Sequence, residues 1–147
     1  LPVLEVPTES EKVIRSLFAR DVTDRAAVGM KIRREVLGDA HVDAANAKIT
    51  PETADFQDFI TRYAWGEIWA RPGLDRTQRS LVTLASLVTG GHDNEIAMHV
   101  RAALTNGLTR SEISEAILHT AIYAGVPAAN AAFAIARDVF ARIDSGD

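Results

Sequence analysis

The chain of 147 residues contains no cysteine. That absence excludes a disulfide framework, a thiolate metal site and a catalytic thiol. No apolar run approaches the roughly 20 residues needed to span a bilayer. The amino end, Leu1-Pro-Val-Leu-Glu-Val-Pro7, lacks the basic-then-apolar pattern of a secretory signal. A cytoplasmic protein without a membrane partner is expected. Positive charge is also short: 16 Lys and Arg stand against 20 Asp and Glu, a formal net charge of -4. A nucleic-acid footprint is therefore not expected. No alternating strand pattern and no internal repeat of about 20–50 residues occurs.

What is present is helical punctuation. Thr8-Glu-Ser-Glu11 is a capping-box pattern before Val13, Ile14, Leu17 and Phe18. Thr23 predicts the cap of a helix reaching Leu37, with Gly38 as its stop. Thr50-Pro51-Glu52 predicts another start, with proline at the first helical position. Phe56, Phe59, Ile60 and Tyr63 follow at helical spacing, and Trp65–Gly73 breaks the pattern. Asp75-Arg-Thr-Gln78 opens a helix that is apolar nearly all round from Leu81 to Val88, which suits the centre of a core or an oligomer. Gly90-Gly91 ends it. Thr109-Arg-Ser-Glu112 caps the next helix but one, and Gly125-Val126-Pro127 precedes an alanine-rich last helix. The expected fold is all-α, a compact bundle of about six to eight short helices. Residues 1–22 read as an amino-terminal appendage or linker and 23–147 as the single domain. Leu1 leaves open a processed chain, a trimmed one or part of a longer polypeptide.

Between Gly91 and Gly107, a helical reading sets His92, Glu95 and His99 on one stripe beside apolar Ile96, Val100, Ala103 and Leu104. An acid and two imidazoles beside a packed face need partners or a task. His92 and His99 lie two turns apart, roughly 10 Å along the axis, so one metal ion is not expected to bridge them. His92 follows two glycines and reads as exposed, whereas apolar neighbours make His119 a packed histidine. Trp65 and Trp69 share a face if their segment is helical. Asn130 reads as a cap or a bridge between helices.

Two blocks, Arg33-Arg-Glu-Val-Leu-Gly-Asp-Ala-His-Val42 and Trp65-Gly-Glu-Ile-Trp-Ala-Arg-Pro-Gly-Leu74, together with His99-Val-Arg-Ala-Ala103, Asn106-Gly107 and Ala121–Asn130, resemble the carboxymuconolactone decarboxylase family. The likeness covers about residues 25–143. It implies a bundle shared with the alkylhydroperoxidase D branch, whose Cys-x-x-Cys-x-x-x-His motif would fall on His92, Glu95 and His99, with its helper glutamate near Ser80. Every redox element is replaced here. The resemblance implies decarboxylation of γ-carboxymuconolactone, a butenolide dicarboxylate, to the enol-lactone of β-ketoadipate in protocatechuate breakdown. No cofactor is expected, because the lactone carbonyl accepts the electrons.

Such chemistry needs a grip on two carboxylates, donors at the lactone oxygen where charge grows, and an acid for the α-carbon. Arginine forks suit carboxylates. Arg33, Arg34, Arg71 and Arg79 are the expected anchors, with Arg101 a further candidate and salt bridges to Glu35, Glu67 or Glu95 the alternative. Trp65 and Trp69 are expected to wall the pocket. His99 is the expected proton donor, Glu95 its orienting helper, and His41 a second acid or lactone-oxygen donor. Another lactone isomerase or hydrolase on this fold, or a non-catalytic helical assembly module, are the alternatives. The resemblance also implies self-association, commonly a homohexamer built as a trimer of dimers. The Leu81–Val88 helix and the alanine-rich last helix would offer surface for it. Fusion to, or work beside, an enol-lactone hydrolase is a further implication.

Overall fold

The computed structural model describes residues 8–11 and 22–147. In chain order the helices are α1 (Val22–Leu37), α2 (Asp39–Ala47), α3 (Ala54–Ile60), a π-helical segment (Thr61–Ile68), α4 (Arg76–Gly90), α5 (Asp93–Thr105), α6 (Arg110–Ala124) and α7 (Val126–Asp144). No strand occurs among the described residues, as the all-α reading expects. At the amino end the Thr8–Glu11 box closes both ways: Thr8 N–H donates to Glu11 Oε2 at 2.7 Å and Glu11 N–H to Thr8 Oγ1 at 3.2 Å. Val13, Ile14, Leu17 and Phe18 lie outside the described residues.

The chain divides into two compact units, residues 1–32 with 50–70 and residues 33–49 with 71–147. In the first, α1 and the π-helical segment approach at two glycines. A Cβ on Gly29 would stand 2.0 Å from the Thr61 carbonyl oxygen, and one on Gly66 2.5 Å from that of Arg25. Arg25 and Glu67 pair across the same crossing at 3.4 Å. The Trp65–Gly73 break in pattern is a change of helix type before it is a loop. Trp69 N–H reaches back five residues to the Ala64 oxygen at 2.9 Å, the wider bond of a π-helix. The two tryptophans do share a face, with ring centroids 5.1 Å apart. The start expected at Thr50-Pro51 comes later: residues 51–53 form a turn and α3 begins at Ala54, although Ala54 N–H already bonds the Thr50 oxygen at 3.0 Å. Phe56 and Phe59 are exposed despite their spacing. Thr23 lies inside α1 rather than before it.

In the second unit, α4, α5, α6 and α7 close around Leu84, Val88, Ile96, Val100, Ile113, Ile117 and Val139, with Ala129, Ala132 and Ala136 of α7 in the same core. Small side chains at this spacing let helix axes come near one another. Both predicted caps are complete boxes, Asp75 with Gln78 and Thr109 with Glu112. Each satisfies two otherwise unpaired backbone donors. Gly91 ends α4 in the left-handed conformation at φ 69, which glycine adopts without a side-chain clash. α4 is buried along Ser80, Leu84 and Val88, while Val82 on another face is exposed. The apolar surfaces expected to drive assembly are thus mostly consumed inside this unit.

Candidate active site

Within the second unit, α1 runs to Leu37 and α2 begins at Asp39, with Gly38 alone between them at φ 87. A side chain there would strain the backbone. The sharp join brings Arg33, near the end of α1, toward His41, in the first turn of α2. Val36 and Val42 are completely buried and fix which faces of the two helices turn inward. Arg34 ties the join from outside, bonding Asp39 at 3.2 Å and Asp43 at 2.8 Å. Those two carboxylates raise its pKa above the usual guanidinium value. Arg34, expected as a substrate anchor, is therefore engaged by the protein itself.

Arg33 is in the opposite condition. It is 7% exposed, its Nε has no hydrogen-bond partner, and no ion pair is formed by it among the described residues. Burial first, and the neighbouring Arg34 charge second, lower its pKa. A buried cation with no counter-charge is costly and calls for an anionic ligand.

α5 supplies the other wall. It starts at Asp93, so His92 precedes the helix, and its ring is exposed, as expected. His99 sits one turn before buried Ala102 and Ala103 and beside Val100. Its Nδ1 is enclosed and has no hydrogen-bond partner. Burial, then the nearby charge of His41, lower its pKa to about 4. The ring is neutral at neutral pH. Glu95, the expected helper, makes no hydrogen bond to the enclosed His99 Nδ1. Glu95 is exposed, and its carboxylate field is felt at His41 instead. His41 is exposed as a residue, yet partial desolvation of its ring is the first cause of a lowered pKa. Arg33 and Lys48 push in the same direction and Glu95 opposes them. Lys48, the residue after α2, escaped the sequence reading. The available signal was its position seven residues after His41, two turns along the same helix face.

Arg33, His41, Glu95 and His99 therefore share one electrostatic neighbourhood. None of the remaining candidate arginines, Arg71, Arg79 and Arg101, is among the groups that shift Arg33, His41 or His99. Arg79 donates to the Arg71 carbonyl oxygen at 2.9 Å and leaves its own Nε enclosed and unpaired, while Arg71 is exposed. Arg101 donates to the Asp147 oxygen at 3.1 Å. Glu35 and Glu67 are taken by Arg76 and Arg25 rather than by any candidate arginine. Trp65 is buried, Trp69 half-buried, and both belong to the first unit. His119, expected to be packed, is exposed with its ring 5.5 Å from that of Tyr123. Asn130 is exposed. A part-buried polar pair also escaped the sequence reading: Asn106 Nδ2, just after α5, donates to Ser80 Oγ of α4 at 2.9 Å, where the thiol-bearing branch would carry its glutamate.

No group of three or more His, Asp or Glu side chains placed to hold a metal occurs among the described residues. No described helix is long and apolar enough to cross a membrane. Surface grooves of about 370 and 400 Å³ run along α6 and α7 and along α4 and α6, and neither is lined by Arg33, His41 or His99. Both are open clefts, so the enclosed unpaired polar atoms are the better guide to a ligand.

The arrangement offers one buried cation, two imidazoles that are neutral at neutral pH, and one carboxylate at the edge. It can hold an anion and donate hydrogen bonds to oxygen. A family model described as "Carboxymuconolactone decarboxylase family" matches residues 54–138. That span includes Glu95 and His99 but begins after Arg33 and His41. Over 112 residues the chain is 50% identical to a 4-carboxymuconolactone decarboxylase of Acinetobacter baylyi, covering 76% of this chain and 84% of the relative. A nitrosuccinic acid decarboxylase of Metarhizium robertsii is 48% identical over 99 residues, 67% of this chain and 69% of the relative. A 4-carboxymuconolactone decarboxylase of Pseudomonas putida is 47% identical over 47 residues, 32% of this chain and 98% of that sequence. The chain belongs to the carboxymuconolactone decarboxylase family.

Proposed function

We propose that the chain is a carboxy-lyase that converts γ-carboxymuconolactone to the enol-lactone of β-ketoadipate, a step of protocatechuate breakdown, using no cofactor. The observation that carries this reading is the 50% identity to a 4-carboxymuconolactone decarboxylase across most of both chains, joined to a buried arginine with no anion of its own. The bond from the γ-carbon to its carboxylate breaks, carbon dioxide leaves, and the electron pair runs through the ring double bond to the lactone oxygen. Arg33 meets a carboxylate of the substrate. His41 is a neutral N–H donor for the oxygen on which charge develops, and His99 stands beside it.

Proton delivery to the α-carbon falls to His99. Its ring starts neutral, because burial holds it so. A dianionic substrate reverses that balance by adding negative charge beside both rings, which favours the imidazolium. The acid is thus loaded by the substrate that needs it. His99→Ala is expected to lower turnover at least about 100-fold with its circular dichroism and sedimentation unchanged. Carbon dioxide release from purified γ-carboxymuconolactone is the readout. A near-normal rate in this variant moves the acid to His41. No release by the folded wild-type chain removes the decarboxylase reading, and product identification then separates an isomerase or hydrolase from a non-catalytic module.

A homohexameric ring, a cytoplasmic setting and an enol-lactone hydrolase as neighbour or fusion partner complete the reading. Self-association is supported by Leu118, Ile122, Tyr123 and Val126, four apolar or aromatic residues exposed at the end of α6 and the start of α7. A second substrate reading is favoured by the 48% identity to a nitrosuccinic acid decarboxylase: the same site removes a carboxylate from a nitro-substituted diacid.

A further inference from the structure

γ-Carboxymuconolactone and nitrosuccinate look unrelated, a lactone ring and a nitro acid, until the reacting carbon is drawn alone. In γ-carboxymuconolactone that carbon bears the departing carboxylate, an electron-accepting ring and a carboxymethyl arm. In nitrosuccinate it bears the departing carboxylate, a nitro group and the same arm. Both are succinate dianions carrying an acceptor on carbon 2, and in both the acceptor ends in oxygen.

The site's parts match that skeleton. Arg33 is the one candidate arginine that is 93% removed from solvent, since 7% is exposed, and its Nε waits without a partner. Which carboxylate it takes is decided by charge. The departing carboxylate must give up its charge on the way to carbon dioxide, so a desolvated cation against it would stabilise the ground state over the transition state. The arm keeps its charge throughout, so a fixed cation there holds the substrate at no kinetic penalty. The growing charge collects on the acceptor's oxygen, and imidazole N–H groups suit it. His99, with an enclosed and unpaired Nδ1, and His41, close enough to shift it, are such groups. Neither donor set requires a ring.

We propose that the site takes 2-substituted succinate dianions whose substituent ends in a π-accepting oxygen, with Arg33 on the carboxylate that is kept. This deepens the decarboxylase reading and rests on it. For 2-nitrosuccinate the bond from carbon 2 to its carboxylate breaks and carbon dioxide departs. The electron pair passes into the nitro group as a nitronate, and one proton returned to carbon 2 gives 3-nitropropanoate. No oxidant, reductant or second substrate is involved.

The test compares three compounds with the full chain: γ-carboxymuconolactone, 2-nitrosuccinate and 2-nitropropanoate, which keeps the acceptor but has a methyl group for the arm. Carbon dioxide and the nitroalkane product are measured above the enzyme-free rate. Turnover of the first two is expected, with kcat/KM for 2-nitropropanoate lower by about 100-fold or more. Arg33→Gln is expected to weaken both diacids in parallel, chiefly through KM, and by a larger factor than it weakens 2-nitropropanoate. Arg33→Lys is expected to recover part of the loss, and thermal melting checks that both variants fold. Turnover of the lactone alone overturns the substrate class while leaving the decarboxylase reading intact. Turnover of neither diacid overturns both. Equal handling of nitrosuccinate and nitropropanoate by the wild-type chain overturns the assignment of Arg33 to the arm, even if the variants do not fold.

Discussion

His99 carries a thermodynamic signature that can be read without any substrate. Its ordinary value of 6.5 falls to about 4 in the folded chain because burial disfavours the imidazolium and the His41 charge adds to the effect. Between those values the unfolded chain binds a proton that the folded chain refuses. Stability contributed by this residue is therefore intact at pH 7, falls as the pH drops through 6.5, and is fully lost below about 4. The loss is on the order of 3 kcal/mol. His99→Gln is expected to flatten that limb relative to wild type, measured as the difference in urea unfolding free energy between pH 7 and pH 4.5. Taking the difference removes the shared carboxylate titrations of Asp75 and Asp144, whose lowered values act in the same acid range. A wild-type limb no steeper than the variant's would show that the ring is not held neutral. His99 itself was legible from the sequence, since an imidazole beside Ile96, Val100 and Ala103 on one helix stands out. The coupling of Glu95 to His41 was not legible, because spacing along α5 says which residues are neighbours on that helix and nothing of what α1 and α2 bring to it. Arg33 and Arg34 looked equivalent in sequence. Only the fold separates them, by burying one and giving the other Asp39 and Asp43.

At the scale of elements, the crossing of α1 with the π-helical segment depends on the absence of two side chains. A methyl on Gly29 would meet the Thr61 carbonyl at 2.0 Å and one on Gly66 the Arg25 carbonyl at 2.5 Å. Both obstacles are backbone atoms, which cannot swing aside. Gly29→Ala and Gly66→Ala are each expected to destabilise by about 3 kcal/mol or more, seen as a lower urea midpoint. Gly90→Ala is the control. Its methyl would meet only the His92 ring at 2.6 Å, the mobile end of an exposed side chain, and the change is expected to stay within about 1 kcal/mol of wild type. Equal losses at all three positions would remove the close-crossing account. The same comparison shows what local sequence encodes. Capping boxes at Thr8, Asp75 and Thr109 and the stops at Gly38 and Gly91 were legible because each uses a specific residue chemistry at a fixed offset. The π-helical segment was not, since an i→i+5 bond demands no residue type that an α-helix forbids. The exposure of Phe56 and Phe59 was not legible either, because periodicity marks a face without saying what covers it.

For the whole molecule, the unsolved matter is what covers the end of α6. Leu118 and Ile122 are one turn apart on the same helix face, 56% and 79% exposed, and Tyr123 and Val126 beside them are 77% and 75% exposed. Scattered apolar residues on a surface need no explanation, but four within nine positions form a patch. The Leu81–Val88 helix and the alanines of α7 do not compete for the role, because their apolar faces already close the core of the second unit. Assembly into the expected ring is expected to bury this patch, with Phe56, Phe59 and Tyr63 a second exposed set. Each large aliphatic side chain covered there contributes about 1.5–3 kcal/mol. Replacing two of them by charges would both forfeit that burial and desolvate a carboxylate or ammonium against its symmetric copy. Leu118→Glu with Ile122→Lys is expected to weaken self-association at least about 100-fold. Sedimentation velocity across a concentration series would show smaller species for the double variant than for wild type, and unchanged circular dichroism would show that the helices persist. Wild-type chain that sediments as a monomer at every concentration, or a double variant that sediments with wild type, would remove this face from the assembly.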